Sequence, residues 1–300
     1  MIWVPITIIS YFLFALVAIT DKILLKGFIP SPKIYAFYIG FFGIFIFLLA
    51  PFGFYVPDGR QIIFSLLAGF FQIAAIVVLY MGLKSFDASR IVPAIGGLSP
   101  VFTFLLTYFF LSTRESLSIS EAAAFALLVL GSFLISWDKS QNITIKSLKI
   151  AAFASFLFAL YFVLAKLVYL SQTFINGLIW MRIGAFVISL ALLCSKEVKE
   201  EIFLKRKTFN FQTFGILSFN GLAGAGAGIL QNLAIALAGV AYVSGISALS
   251  GTQYLFLLIL SLFLSFKFPQ ILKEKSSKAV IRQKAFAIAL ISLGLVLLAF

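Results

Sequence analysis

One arginine stands deep inside an apolar run. In INGLIWMRIGAFVISLALLC (175–194), Arg182 has no acidic residue near it in sequence. A cation at such a depth in a hydrocarbon layer costs on the order of 3 kcal/mol on insertion scales, so it reads as functional by default. Its chemistry would be the pairing of a guanidinium with a carboxylate or phosphate carried by a solute, with Trp180 beside it as an aromatic wall. The other reading is that the long side chain snorkels to the nearer surface. Both stay open at this level.

Uncharged polar residues form the second group. FFQIAAIVVLY (70–80) carries Gln72 and Tyr80, and GLAGAGAGILQNLA (221–234) ends in Gln231 and Asn232. Buried amides need partners, which are either each other or a polar ligand. Gly224 and Gly228, at the spacing that lets helices approach closely, read as packing positions. A third group sits in two runs that weaken a helix. VPAIGGLSPVFTFLL (92–106) holds Gly97, Ser99, Pro100 and Thr103, and SALSGTQYLFLL (247–258) holds Ser250, Gly251, Thr252 and Gln253. Irregular backbone at membrane depth survives only where protein or a water-filled cavity covers it. Pro93, near a helix start, reads as structural.

Other chemistries are excluded by composition. With no histidine and one cysteine, Cys194, neither an intrachain disulfide nor a zinc site of the usual ligands can form, and no metal or cofactor is expected. The acidic residues, among them Asp21, Asp58, Glu115 and Glu121, lie in loops or near helix ends. An intramembrane enzyme would need a nucleophile with a base, or paired carboxylates, at one depth, and none is placed so. Asp21 and Glu121 remain as groups that could couple transport to an ion.

The elements that must position these residues are membrane helices. The 300-residue chain is 62% hydrophobic and 11% charged, with a mean hydropathy of +1.13; a soluble domain carries roughly 25% charge. Apolar residues come in blocks near the ~20 needed to cross a ~30 Å hydrocarbon core. Ten spans are predicted, at about 2–20, 33–51, 61–83, 88–112, 119–137, 146–168, 173–194, 211–237, 241–265 and 279–299. The opening MIWVPITIISYFLFALVAIT lacks a basic leader and a small-residue cleavage site, so it reads as a retained first helix.

Placing loops alternately on two sides collects most of the 23 basic residues on the side opposite the termini, leaving Arg60, Arg114 and Lys166 on the other. Cytoplasmic loops carry the lysine and arginine excess, so both termini are expected outside the cytoplasm. The formal charge of +13 is spread over short loops, with no basic domain to hold nucleic acid.

FLFAL occurs at 12–16 and again at 156–160. The shift that superposes them also carries Lys22 onto Lys166, Tyr38 onto Arg182, and Ile39-Gly40 onto Ile183-Gly184. ALLVLG (126–131) likewise matches ALISLG (289–294). Two repeats, 1–137 and 146–300, are therefore expected. Each has an odd number of spans, so the second is inverted, a recurring plan of secondary transporters with a site near the midplane. Pro100 and Gln253 fall at matching points of the two halves, and paired interruptions are the pointer to such a site.

ASRIVPAIGGLSPVFTFLLTYFFLSTRESLS (88–118), with LYMGL (79–83) before it, resembles the EamA-type exporters of the drug/metabolite transporter superfamily. The resemblance runs through the repeat to essentially the whole chain. It implies an all-α integral membrane fold of ten helices in two inverted five-helix repeats, and alternating-access movement of small metabolites, such as amino acids, often outward. The second half has Gln253 where a proline register is expected, and the charges place the termini opposite to the usual drawing. A small-multidrug-type antiporter needs a carboxylate in its first helix, and the span 2–20 has none. The expected protein is thus a non-enzymatic plasma-membrane transporter for a small solute, its partners being that solute and lipid. Cavity-lining candidates are Tyr38, Gln72, Tyr80, Gly97, Ser99, Pro100, Thr103, Trp180, Arg182, Gln231, Asn232, Ser250, Thr252 and Gln253. A flippase for a lipid-linked substrate is the alternative; oligomeric state and solute are not legible.

Overall fold

The computed structural model describes residues 1–27, 31–86, 88–111, 118–136, 145–203 and 211–267, together with scattered helical positions between 282 and 297. The described secondary structure is helical. In chain order the helices are α1 (Trp3–Gly27), α2 (Pro32–Gly43), α3 (Gly59–Ser85), α4 (Ala88–Leu111), α5 (Ile119–Ser136), α6 (Ile145–Ser171), α7 (Phe174–Ala191), α8 (Lys196–Phe203), α9 (Phe211–Leu237), α10 (Val243–Ala248) and α11 (Ser250–Lys267).

Among the described residues, six segments are long and apolar enough to cross a membrane: Trp3–Asp21, Pro32–Phe52, Gly59–Ser85, Ala94–Leu111, Ile145–Ser171 and Phe174–Cys194. They correspond to the predicted spans one to four, six and seven. The fifth appears as α5, with a shorter apolar stretch Ala122–Gly131, and the eighth as α9. Most of the tenth lies outside the described residues. Large rings and branched chains point outward, such as Phe45 at 61%, Tyr108 at 70% and Leu222 at 77% exposure. A surface this apolar requires lipid to cover it.

Local chemistry sets the helix ends. Pro32 opens α2, where its missing N–H costs nothing. Beyond Gly43 that helix tightens into a 3-10 stretch, Ile44–Phe52, which stops at Gly53 with φ 144°; only glycine tolerates that value readily. Asp58 caps α3 by accepting from the Gln61 N–H at 2.9 Å.

The bundle has two ends: the start face, where α1 begins, and the basic face, at the Asp21 end of α1, with Lys33 at the start of α2 and Lys84 at the end of α3. At the start face Gln172 of α6 donates to Ser65 Oγ of α3 at 3.0 Å and accepts from Asn176 Nδ2 of α7 at 2.8 Å. Asn176 Oδ1 in turn accepts the Tyr55 N–H at 2.9 Å. Lys166 of α6 is 3% exposed and donates to the last carbonyls of α9, Ile235 at 3.2 Å, Ala236 at 3.3 Å, and Ala238. A cation at a helix C-terminus satisfies orphan carbonyls and opposes the helix dipole. Lys166→Met keeps the bulk but removes the donors, so we expect a loss of about 1–3 kcal/mol, read as a lower melting temperature in detergent.

α3 packs against α6 and α7, and α1 against α9 and α11. The α3–α7 crossing is a close approach of two backbones. A Cβ added at Gly69 would lie 2.0 Å from the Met181 carbonyl oxygen, and one at Gly184 would lie 2.4 Å from that of Leu66. α2 leans on α7 through Gly40, whose Cβ would meet Ser189 at 2.7 Å, and makes few contacts with α9. Gly221 of α9 has nothing within 4 Å of its Cβ position. Elsewhere, α5 meets the described residues of the last segment. A Cβ on Gly131 would lie 2.7 Å from Ile291 Cγ1, and one on Gly294 would lie 3.0 Å from Leu128 Cγ.

The two interruptions read from the sequence differ from expectation. α4 runs unbroken through Gly96, Gly97 and Pro100. Its glycines instead admit rings: Gly96 that of Tyr254, whose hydroxyl would be 2.4 Å from a Cβ there, and Gly97 that of Phe133 at 3.0 Å. The predicted ninth span is divided, with a turn at Leu249 between α10 and α11.

Candidate functional site

α7 carries Arg182 into the space between helices. Its Nη1 donates to Gln72 Oε1 of α3 at 3.3 Å. A Cβ on Gly43 would lie 3.5 Å from Arg182 Cδ, and one on Gly228 would lie 2.8 Å from Nη2. The side chain therefore passes between α2, α3 and α9, and Gly228 is small because the guanidinium occupies the space beside it. The positive charge also reaches Tyr161 and Tyr169 of α6. Both phenols meet Asn232 of α9, which is 1% exposed. Asn232 Nδ2 donates to Tyr161 Oη at 2.8 Å and to the Gly228 carbonyl at 2.8 Å, while Tyr169 Oη donates to its Oδ1 at 3.0 Å.

A guanidinium has five N–H donors and no acceptor. Among the described residues, Gln72 accepts a hydrogen bond from Arg182, and no carboxylate forms an ion pair with it. Chemically this is a half-buried cation lined by amide and phenol groups, with donors left for an anion. The bidentate fork suits a carboxylate or a phosphate.

A second polar seam joins α4 to α10 and α11. Ser99 Oγ and Ser247 Oγ are 3.2 Å apart. Thr103 Oγ1 donates to the Ser99 carbonyl at 2.8 Å, and Thr252 Oγ1 to that of Leu249 at 2.7 Å. Ser250 Oγ is buried with no hydrogen-bond partner among the described residues. Gln253 Nε2 reaches the Phe14 carbonyl of α1 at 3.4 Å.

Near the basic face a third cluster surrounds Asp21 of α1. Tyr35 of α2 donates to its Oδ1, and Asn220 Nδ2 of α9 donates to the same oxygen at 2.8 Å. Tyr80 Oη of α3 donates to Oδ2 at 2.8 Å. Asn220 also donates to Tyr35 Oη and accepts from Thr20 Oγ1.

Residues 1–137 match the EamA-like transporter family. The match ends where α5 ends, at the close of the first predicted repeat. That family is part of the drug/metabolite transporter superfamily, and the match agrees with the apolar membrane-length helices described above. No curated protein matches the chain significantly. A solved structure, titled only as the crystal structure of a protein, is 14% identical at a TM-score of 0.62, covering 98% of this chain and 99% of that one. At that identity the likeness speaks for the fold alone.

Of the residues expected to share a site, Gln72, Arg182 and Asn232 come together, joined through Tyr161 and Tyr169. The matched residues 1–137 thus supply Gln72, and the rest of the chain supplies the cation. Tyr80 belongs to the Asp21 cluster. Gln231 hydrogen-bonds Tyr11, whose hydroxyl donates to the Ile246 carbonyl at 3.0 Å. Tyr38 packs with Phe37 and Phe42 on α2. Trp180 is at the start face, donating to the Tyr55 carbonyl at 3.0 Å and stacked on Phe54. Gly97, Ser99, Pro100, Thr103, Ser250, Thr252 and Gln253 belong to the α4 seam or its flanks. Tyr161, Tyr169 and Asn220 were not among the sequence candidates. Tyrosines in an apolar helix look like interfacial aromatics, and nothing local links Asn220 to a carboxylate so far away in sequence.

Proposed function

We propose that this chain is a secondary transporter that exports a small metabolite bearing a carboxylate or phosphate, by alternating access. The observation that carries this reading is Arg182, a guanidinium among α2, α3, α6 and α9 with Gln72 beside it and no carboxylate paired to it among the described residues. A half-buried charge of this kind needs a counter-charge, and an arriving anion supplies one. Amino acids, which carry a carboxylate, fall within the class.

The reading includes ten helices in two inverted five-helix repeats, 1–137 and 146–300. Matching pairings support it: α3 lies on α6 as α9 lies on α1, and Leu128 and Gly131 meet Gly294 and Ile291 reciprocally. It also places the protein in the plasma membrane with both termini outside, on the strength of the basic loops. The test is reconstitution in liposomes with a panel of radiolabelled amino acids, organic acids, sugars and nucleotides. Saturable flux confined to anionic or zwitterionic solutes is expected; absence of flux for every solute removes the reading.

A flippase for a lipid-linked substrate is the second reading. It is favoured by the flank of α9 around Gly221 and Leu222, which α2 leaves uncovered. Transbilayer movement of a labelled anionic lipid, without flux of soluble anions, would select it.

A further inference from the structure

We propose that Asp21 is a proton-binding site that latches α1 to α2, α3 and α9 while ionised, and that uptake of a proton releases the latch and opens the bundle at the basic face. The proposal rests on the transport reading for its purpose, though not for its geometry.

The geometry is a count of donors. One carboxylate receives hydrogen bonds from three other helices: Tyr35 and Asn220 on Oδ1, Tyr80 on Oδ2. An ionised carboxylate is acceptor-only and can take all three; a protonated one must donate through one oxygen. Tyr35 Oη already accepts from Asn220, and Tyr80 Oη can accept from Asp21 only by turning its own proton away from the carboxyl group. Adding a proton to Asp21 therefore turns one acceptor into a donor and leaves a phenol or amide N–H facing it. Burying such a mismatch is costly, and separating the helices lets water relieve it. When the proton returns to water, the carboxylate recovers its three donors and the helices close again.

Among the described residues, the groups that hold the charge are neutral. Tyr35 and Tyr80 are the titratable side chains that face Asp21 from α2 and α3, their rings edge-on with centroids 4.9 Å apart; α9 presents the uncharged Asn220. Lys33, on α2, is turned to α8, with Nζ 3.4 Å from Ser195 Oγ and 3.9 Å from Glu197. Lys84, at the end of α3, is exposed. The side chains of Lys22 and Lys26 are outside the described residues. A buried charge without a counter-ion tends to discharge by titration, and a proton from the basic-face water is the smallest ligand that does so here.

The latch is also separated from the anion site. Tyr80 is eight residues beyond Gln72 on α3, about 12 Å along the axis. A single rigid helix thus touches both the proton-binding carboxylate and the amide that holds Arg182. That shared helix gives protonation a path to the solute without either ligand touching the other.

Pulsed electron spin resonance tests this without any solute. Spin labels would be placed at Lys84→Cys on α3 and Phe219→Cys on α9, both exposed, in a Cys194→Ser background reconstituted in lipid. With Asp21 present, acidification should shift the distance distribution to longer values. Asp21→Asn should give the longer distance at every pH. If Asp21→Asn fails to fold, Tyr80→Phe serves instead; losing one donor to the ionised form should move the opening midpoint to higher pH. A distribution that ignores pH, a pH response surviving in Asp21→Asn, or an unmoved midpoint in Tyr80→Phe overturns the proposal. Because no solute is present, these outcomes are separate from flux: a silent liposome panel with an intact pH response would remove the transport reading and leave the latch.

Discussion

Arg182→Gln is expected to lower the flux of a carboxylate- or phosphate-bearing solute by about 100-fold, with the protein still folded. Truncating one partner of a buried charge pair costs roughly 2–5 kcal/mol, and about 2.7 kcal/mol corresponds to that factor. The glutamine retains an amide able to meet Gln72, so the loss would come from charge and not from a hole. Arg182→Lys should fall between the two, because it keeps the charge but loses the planar fork. Initial rates in liposomes check this, with size-exclusion profiles confirming that both variants assemble. An equal fall for a neutral solute would assign Arg182 to holding the helices together instead.

Gly69→Ala should be the most damaging small substitution in the described bundle. Its Cβ would lie 2.0 Å from the Met181 carbonyl oxygen, 2.5 Å from the Ala185 nitrogen and 2.9 Å from the Gly184 carbonyl carbon. All three are backbone atoms of α7, so no side chain can swing away and the two helices must part. Overpacking typically costs about 1–3 kcal/mol and occasionally more; with rigid backbone on both sides we expect at least about 3 kcal/mol. Gly221→Ala, with nothing within 4 Å of its Cβ position, is the control. Thermal unfolding in detergent followed by tryptophan fluorescence should separate the two, and equal midpoints would contradict the α3–α7 crossing. Gly184→Ala acts at the same contact, so its effect should not add to that of Gly69→Ala.

Helices were more legible than their interactions. α3 was expected at 61–83 and spans Gly59–Ser85; α4 was expected at 88–112 and spans Ala88–Leu111. Charged and turn-forming residues mark such ends clearly. The break expected around Pro100 did not follow, because Gly96 and Gly97 are there to admit the rings of Tyr254 and Phe133, a tertiary demand with no local signature. Trp180 precedes Arg182 by two residues, and residues two apart do not share a helix face. It could not have walled the arginine. Tyr80 shares a helix with Gln72 but not a level. Asp21 looked like an ordinary acid near a helix end, and only folding brings Tyr35 and Asn220 to it.

The contact between α5 and the last segment has a consequence of another kind. Leu128 fits against Gly294 while Ile291 fits against Gly131, so each strip bears a bump followed by a dent in the same chain order, and the two strips run antiparallel. Such a surface is its own complement: it suits a twin turned end for end, as in isologous pairing. On the two-repeat reading, a five-helix unit carrying that strip could pair with its twin about a two-fold axis before any fusion joined two copies into one polypeptide.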